Sequence, residues 1–293
     1  MMELHLVDED EDEDDAVVKR DEDRSTDNQM VEEWVRSRCP RCSKRASFYC
    51  VDCYEIVGAP KGCCVPMIDL PLRCSIVFFD KIRKSTAVHA KMLAPDHVDI
   101  LQYPDAIPRI DDPQRVAVAY PSDDSTTFEE WDLKDLAKLR RIILIDSPWK
   151  KSSMILNHEG LEGLRRVRLA RPPEKSRFWR WHKAGHGALS TIEAIHYLLA
   201  EYVSKCPEEN RTPSSERHCI GGRSRVLFDS KRTDLLFFFE LMRKKIARFY
   251  ATDEEYQDVP LPYDEDGKRA YRYKYNQRLK KKLAAEANRK DRG

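Results

Sequence analysis

An α/β protein, built on a mainly parallel sheet with helices on both faces and preceded by a small cysteine module, is the fold this sequence predicts. Three observations carry that expectation. From residue 66 onward, strand-like and helix-like segments alternate, the pattern of βαβ units. The clearest strand, residues 141–146, is a short apolar run rich in β-branched side chains that ends in Asp146. Four cysteines stand in two Cys-x-x-Cys pairs, Cys39/Cys42 and Cys50/Cys53, with seven residues between the pairs.

The chain has 293 residues, 41% apolar and 35% charged. The charged share exceeds the roughly 25% of an average domain, so part of the chain is expected to stay solvated. A net charge of +1 hides a segregation: residues 8–15 are eight consecutive acids, and residues 268–293 hold eleven Lys or Arg against Glu286 and Asp291. Like-charge blocks repel and tend to form disordered tails. The expected division is therefore an acidic tail over 1–33, a cysteine module over 34–65, an α/β domain over 66–255 and a basic tail over 256–293. No apolar run reaches the roughly 18 residues that cross a bilayer, and the N-terminus is acidic rather than signal-like. A soluble, monomeric, intracellular protein with no membrane partner is expected, and the basic run fits nuclear targeting.

Within the domain, residues 75–79 and 115–120 predict strands, and residues 85–94 a helix with Val88, Met92 and Leu93 on one side. Thr126-x-x-Glu129 has the form of a capping box opening a helix to residue 140. Residues 164–169 predict a further strand, and helices are expected over 190–203 and 233–250. Residues 205–225, with Pro207, Pro213 and Gly221-Gly222, predict a loop.

In a reducing compartment paired cysteines are more often metal ligands than disulfides. Cys39, Cys42, Cys50 and Cys53 form two knuckles whose four thiolates complete a closed tetrahedral zinc site, structural because no position stays open. The adjacent Cys63 and Cys64 are alternative ligands, while Cys74, Cys206 and Cys219 carry no spacing signal.

Asp146 ends its strand, where the ligand crevice of an open α/β sheet lies. A carboxylate there can hold a ribose hydroxyl, bind an ammonium group or accept a proton. Ser147 and Trp149 follow, the indole suited to stacking on a base; Asp-Ser-Pro is equally a common turn opener. Leu189-Ser190-Thr191-Ile192-Glu193 opens a helix beside a glycine-containing loop (Gly185, Gly187), offering amides to an anion. Ser190-x-x-Glu193 is also a capping box, which accounts for both residues without a ligand. Arg177, Trp179, Arg180 and Lys183 interleave cations with rings, as an RNA-binding patch does; a core Trp179 is the competing reading.

Taken in order, these segments resemble the DTW-domain family, the tRNA-uridine aminocarboxypropyltransferases. The resemblance rests on the cysteine pairs, Lys84-Ser-Thr-Ala-Val-His-Ala-Lys-Met-Leu-Ala-Pro95, Ile143-Leu-Ile-Asp-Ser-Pro-Trp149, Phe178-Trp-Arg180, Leu189-Ser-Thr-Ile-Glu-Ala-Ile-His-Tyr-Leu198 and Leu235-Leu-Phe-Phe238. It implies a SPOUT-like sheet with a C-terminal trefoil knot and S-adenosylmethionine as co-substrate. The reaction it implies is transfer of a 3-amino-3-carboxypropyl group to N3 of a D-loop uridine in tRNA. By family position, Ser85 and Thr86 join Asp146, Ser147, Trp149, Leu189, Ser190 and Thr191 around the cofactor. Asp146 is the first candidate for the base and Glu193 the second. Pro148 stands where the family motif has Thr, and residues 79–83 lack the family's His-containing stretch. A SPOUT-type RNA methyltransferase and a non-catalytic zinc-knuckle RNA-binding protein are the competing readings.

Overall fold

The most apolar segments form the middle of the sheet, as strands covered on both faces must. In the computed structural model, which describes residues 34–174, 176–179, 189–206 and 219–252, the chain begins with two short hairpins. These are β1 (Ser37–Arg38) with β2 (Arg45–Ala46), and β3 (Tyr49–Cys50) with β4 (Glu55–Ile56). After β5 (Val65–Asp69) the main sheet is built from β6 (Arg73–Phe78), β7 (Val98–Gln102), β8 (Val116–Ala119), β9 (Arg141–Asp146) and β10 (Arg165–Val167). The order is β10-β8-β9-β6-β7 and every pairing is parallel.

Alternation along the central strands sorts their side chains onto two faces. Ile76, Ala117, Ile142 and Leu144 point to one apolar cluster, and Val77, Val116, Val118 and Ile143 to another. The first cluster is closed by α1 (Ala87–Leu93), α2 (Leu133–Lys138), the long α4 (Thr191–Lys205) and α5 (Phe237–Thr252). The second is closed by α3 (Trp149–Leu156), through Ile155 and Leu156, and by Leu161 and Leu164. The expected parallel sheet with helices on both faces is present. Among the described residues, no helix is long and apolar enough to cross a membrane.

Several expectations are corrected. The capping box lies one residue later: the Thr127 amide donates to Glu130 (2.6 Å), while the Thr126 hydroxyl accepts from the Trp131 indole (2.8 Å). That box caps a 3-10 turn, Phe128–Glu130, and the extended backbone of Asp132 then separates it from α2, so the expected single helix is two pieces. The loop expected over 205–225 ends early, because β11 (Cys219–Ile220) and β12 (Arg223–Leu227) join β5 in a second sheet of order β11-β12-β5. Its short strands carry charged residues that mask the pattern: Arg225 grips Asp69 through two bonds of 2.7 and 2.6 Å. Cys64, expected as an alternative metal ligand, and Cys219, which carried no spacing signal, form a disulfide between the entry to β5 and β11. The expected tails over 1–33 and 256–293, together with Arg180, Lys183, Gly185 and Gly187, lie outside the described residues.

Candidate active site and metal centre

A strand that ends at the sheet's rim delivers its last side chain to the crevice, and Asp146 is the last residue of β9. Its Oδ2 accepts a hydrogen bond from the Ser85 hydroxyl, just before α1, and another from the Thr191 hydroxyl at the first position of α4 (2.9 Å). Thr86 is buried, and its hydroxyl oxygen accepts the Ile192 amide at 3.1 Å. Ser85 and Thr191, each from a Ser-Thr dipeptide and the two dipeptides 105 residues apart in sequence, thus hold the same carboxylate oxygen. The Asp146 carboxyl is displaced upward from the ordinary carboxylate range. Burial is the main cause; the Ser85 and Thr191 hydroxyls oppose it, and the charge of Asp80 adds to it.

Asp146 and Thr191 open onto a cleft of about 390 Å³ at the carboxyl ends of β8, β9 and β10. Leu144, Val167, Leu169, Leu189, Ala194 and Leu198 supply apolar walls, and Ser147, Ser152 and Arg168 the polar positions. Such a cleft suits a ligand with a flat or aliphatic body and a few polar groups. The sequence-predicted residues Asp146, Ser147, Leu189 and Thr191 line it, and Ser85 and Thr86 support it from behind. Trp149 opens α3 with Pro148 at the N-cap; its side chain lies outside the described part of the structure. Tyr120 and Arg168 are lining residues that sequence reasoning missed. They stand just beyond β8 and β10, and only the strand order brings those strands beside β9.

The capping box at Ser190 is present, and it defines Glu193. That carboxylate is buried and accepts from the Ser190 amide (2.9 Å), the Ser190 hydroxyl (2.6 Å), the Ser176 hydroxyl (2.7 Å) and the Arg177 amide (2.7 Å). With four donors inside the protein, Glu193 ties the 176–177 segment to the start of α4 rather than facing the cleft as a base. Glu193→Ala is expected to cost about 3 kcal/mol, since a charged cap and several buried donors lose their acceptor. A urea unfolding midpoint measures this, and an unchanged midpoint would refute the clamp. The amides expected to meet an anion are also partly committed, that of Ile192 to Thr86 and that of Ala194 to the Ser190 carbonyl (2.9 Å).

Of the candidate RNA patch, only Arg177 and Trp179 lie within the described residues. Trp179 is only 7% exposed and packs against Phe178, Phe239 and His89, so its ring is core and not a stacking platform. Arg177 is held by Glu240 through contacts of 2.9 and 3.1 Å.

The four sulfurs of Cys39, Cys42, Cys50 and Cys53 lie within 4.8 Å of one another. Tetrahedral zinc with bonds of about 2.3 Å would space them about 3.8 Å apart, so the set fits after small adjustments. Each knuckle closes the same way. The amides of Ser43 and Tyr54 donate to the carbonyls of Cys39 and Cys50 (both 2.9 Å), and both residues take left-handed φ values of 60° and 55°. Burial pushes the Cys39 thiol up, but the amides of Cys42 and Arg41 and the thiols of Cys42 and Cys50 bring it down to about 7. The Cys42 thiol first, then burial, pushes Cys53 up to about 12. Four thiolates this close repel unless a cation compensates, which is the chemistry of a metal centre. Cys63 and Cys64 stand outside this quartet.

A family model described as the DTW domain matches residues 36–247. Among curated proteins, the tRNA-uridine aminocarboxypropyltransferase 1 of Homo sapiens is 32% identical over 261 residues, covering 74% of this chain and 79% of the relative. The proteins of the same name from Mus musculus and Xenopus laevis are each 29% identical, covering 75% and 72% of this chain and 80% of each relative. No solved structure matches the chain.

Proposed function

This chain belongs to the DTW-domain family, and on that premise we propose that it is a tRNA-uridine aminocarboxypropyltransferase using S-adenosylmethionine. The product is 3-(3-amino-3-carboxypropyl)uridine in the tRNA D-loop. The observation that carries the reading is the meeting of the 84–95, 143–149 and 189–198 segments at Asp146, on the rim of a cleft of nucleoside size. When bound, the co-substrate supplies a methylene carbon activated by the adjacent sulfonium.

The residues of the chain do the rest. The apolar walls of the cleft exclude water and hold the flat parts of the reactants, so positioning supplies much of the rate. Asp146 takes the proton from uridine N3; its raised pKa makes it a stronger base than a solvated carboxylate. Ser85 and Thr191 hold that carboxylate in one orientation. The four-cysteine cluster is proposed to hold a structural Zn²⁺, and the basic tail supports a nuclear location. The SPOUT-like knot belongs to the same proposal, supported by the all-parallel sheet and the packing of α4 beside the end of β9.

Incubation of purified protein with tRNA and S-adenosylmethionine, followed by nucleoside mass spectrometry, tests this. The expected result is the aminocarboxypropyl nucleoside with release of 5′-methylthioadenosine. S-adenosylhomocysteine would instead mark a methyltransferase, and tRNA binding with neither product a non-catalytic RNA-binding protein.

Pro148 occupies an N-cap position with φ −57° and ψ 138°, which Thr adopts readily and caps with its hydroxyl. Pro148→Thr is expected to change stability by less than about 1 kcal/mol and to keep activity. Thermal unfolding and an initial rate check it; an inactive variant would show that the proline itself shapes the loop.

A further inference from the structure

Two neighbouring strands of the main sheet, β6 and β9, begin with arginine at one level, and Arg115 immediately precedes the third, β8. Register sets Arg73 and Val116 opposite Arg141. The Arg73 amide donates to the Arg140 carbonyl and the Arg140 amide to the Arg115 carbonyl, both at 2.9 Å. With Arg109 from the preceding loop, these five arginines line one recess of about 270 Å³ that contains no lysine. Asp99 and Asp111 neutralise Arg73 (3.4 Å) and Arg109 (2.9 Å), while Asp112 spends one carboxylate oxygen on the Gln114 amide (3.0 Å). Among the described residues, Arg115, Arg140 and Arg141 have no carboxylate partner. Arg140 is steadied by the Ala137 and Leu139 carbonyls, and Arg141 by that of Arg109.

We propose that this arginine edge is a second RNA-contact surface, gripping phosphodiesters of the substrate tRNA away from the reacting uridine. The inference rests on the tRNA substrate proposed above. It rests also on placement: the edge lies at the amino ends of the strands, opposite the cleft. Five residue steps along β9 at about 3.3 Å each separate Arg141 from Asp146, about 16 Å. A nucleic-acid duplex carries about one charge per 1.7 Å of axis, so a substrate running past the cleft brings several phosphates to this edge. Guanidinium groups match phosphate oxygens in pairs, which ammonium groups do not. Because sheet register fixes the spacing, little ordering remains to be done on binding.

The test is equilibrium binding of full-length tRNA at several salt concentrations, read without any transfer reaction. Arg109→Gln/Arg115→Gln/Arg140→Gln is expected to weaken binding about tenfold or more, lowering the slope of log K against log salt by about 2–3. Arg115→Gln alone, whose side chain holds nothing else in place, should lower it by about 0.7–0.9. The corresponding triple Lys variant should keep most of the slope. On a short D-arm hairpin that reaches only the cleft, the triple Gln variant should match the wild type in kcat/KM while its KM for full tRNA rises. Unchanged affinity and slope in both Gln variants overturns the proposal, as does an equal loss on hairpin and tRNA, or stronger competition by polyglutamate than by RNA. A wild-type protein that binds tRNA through this edge but transfers nothing would refute the activity and leave this surface standing.

Discussion

Asp146→Asn is expected to lower aminocarboxypropyl transfer by about 10³-fold, within the range that a positioned acid–base group contributes. The amide oxygen of Asn still accepts from Ser85 and Thr191, so the clasp that aligns α1 and α4 persists while the proton acceptor is gone. The same substitution is expected to stabilise the protein near neutral pH. Burial raises the Asp146 pKa in the folded state, so between the unfolded carboxyl value and the raised one the native state binds more protons. Stability conferred by the wild-type group therefore falls as pH rises through that window, and the full cost remains above it. The gain from Asn should be visible at pH 7 and vanish by about pH 3. Urea midpoints at the two pH values, beside single-turnover rates, check both halves. Full activity in the variant would remove Asp146 as base.

Removal of the zinc proposed for the cysteine cluster is the second large expected effect. Structural zinc contributes about 10–16 kcal/mol in isolated fingers. If about 5 kcal/mol of that reaches the whole domain, chelation should lower the melting temperature by about 15 °C. Cys42→Ser/Cys53→Ser should do the same without chelator. Native mass spectrometry is expected to find one Zn²⁺ per wild-type chain and none in the variant. The damage should reach the cleft by a traceable route. Tyr49, next to Cys50, bonds the His89 side chain on α1 at 2.7 Å, and Trp34 and Phe48 from the module pack into the main core beside Phe238. Since Ser85 lies two residues before the start of α1, loosening the module is expected to raise KM for the co-substrate before it unfolds the sheet. A zinc-free protein with unaltered melting and kinetics would refute this coupling.

Legibility in the sequence followed burial. Residues 75–79, 115–120 and 141–146 predicted strands because their apolar runs exceed what a loop tolerates, and α1 and α4 because one face of each is apolar. β7, β5 and β12 were not legible: each mixes charged and apolar residues whose partners lie far away, as Arg225 of β12 does with Asp69 of β5. The helix after Pro148 was hidden because Asp-Ser-Pro reads locally as a turn; the chain does bend at Ser147, and the helix starts immediately after, with Pro148 as its N-cap. Trp179 shows the opposite failure: basic neighbours suggest an RNA surface, while the ring itself lies against α5.

By itself the sequence determined the parallel α/β plan, the pairing of four cysteines and the chemical types at the site, since periodicity, knuckle spacing and strand ends are local properties of the chain. Tertiary structure alone decided what each carboxylate does. Asp146 and Glu193 were both acids at element ends, yet Glu193 is consumed by four internal donors and Asp146 is left on the rim of a cleft with only two hydroxyls. It also decided that arginines scattered over residues 73–141 form one charged edge. The reason is common to both: hydrogen-bond satisfaction and local charge depend on which strands lie side by side, and strand order is set by packing the whole sheet.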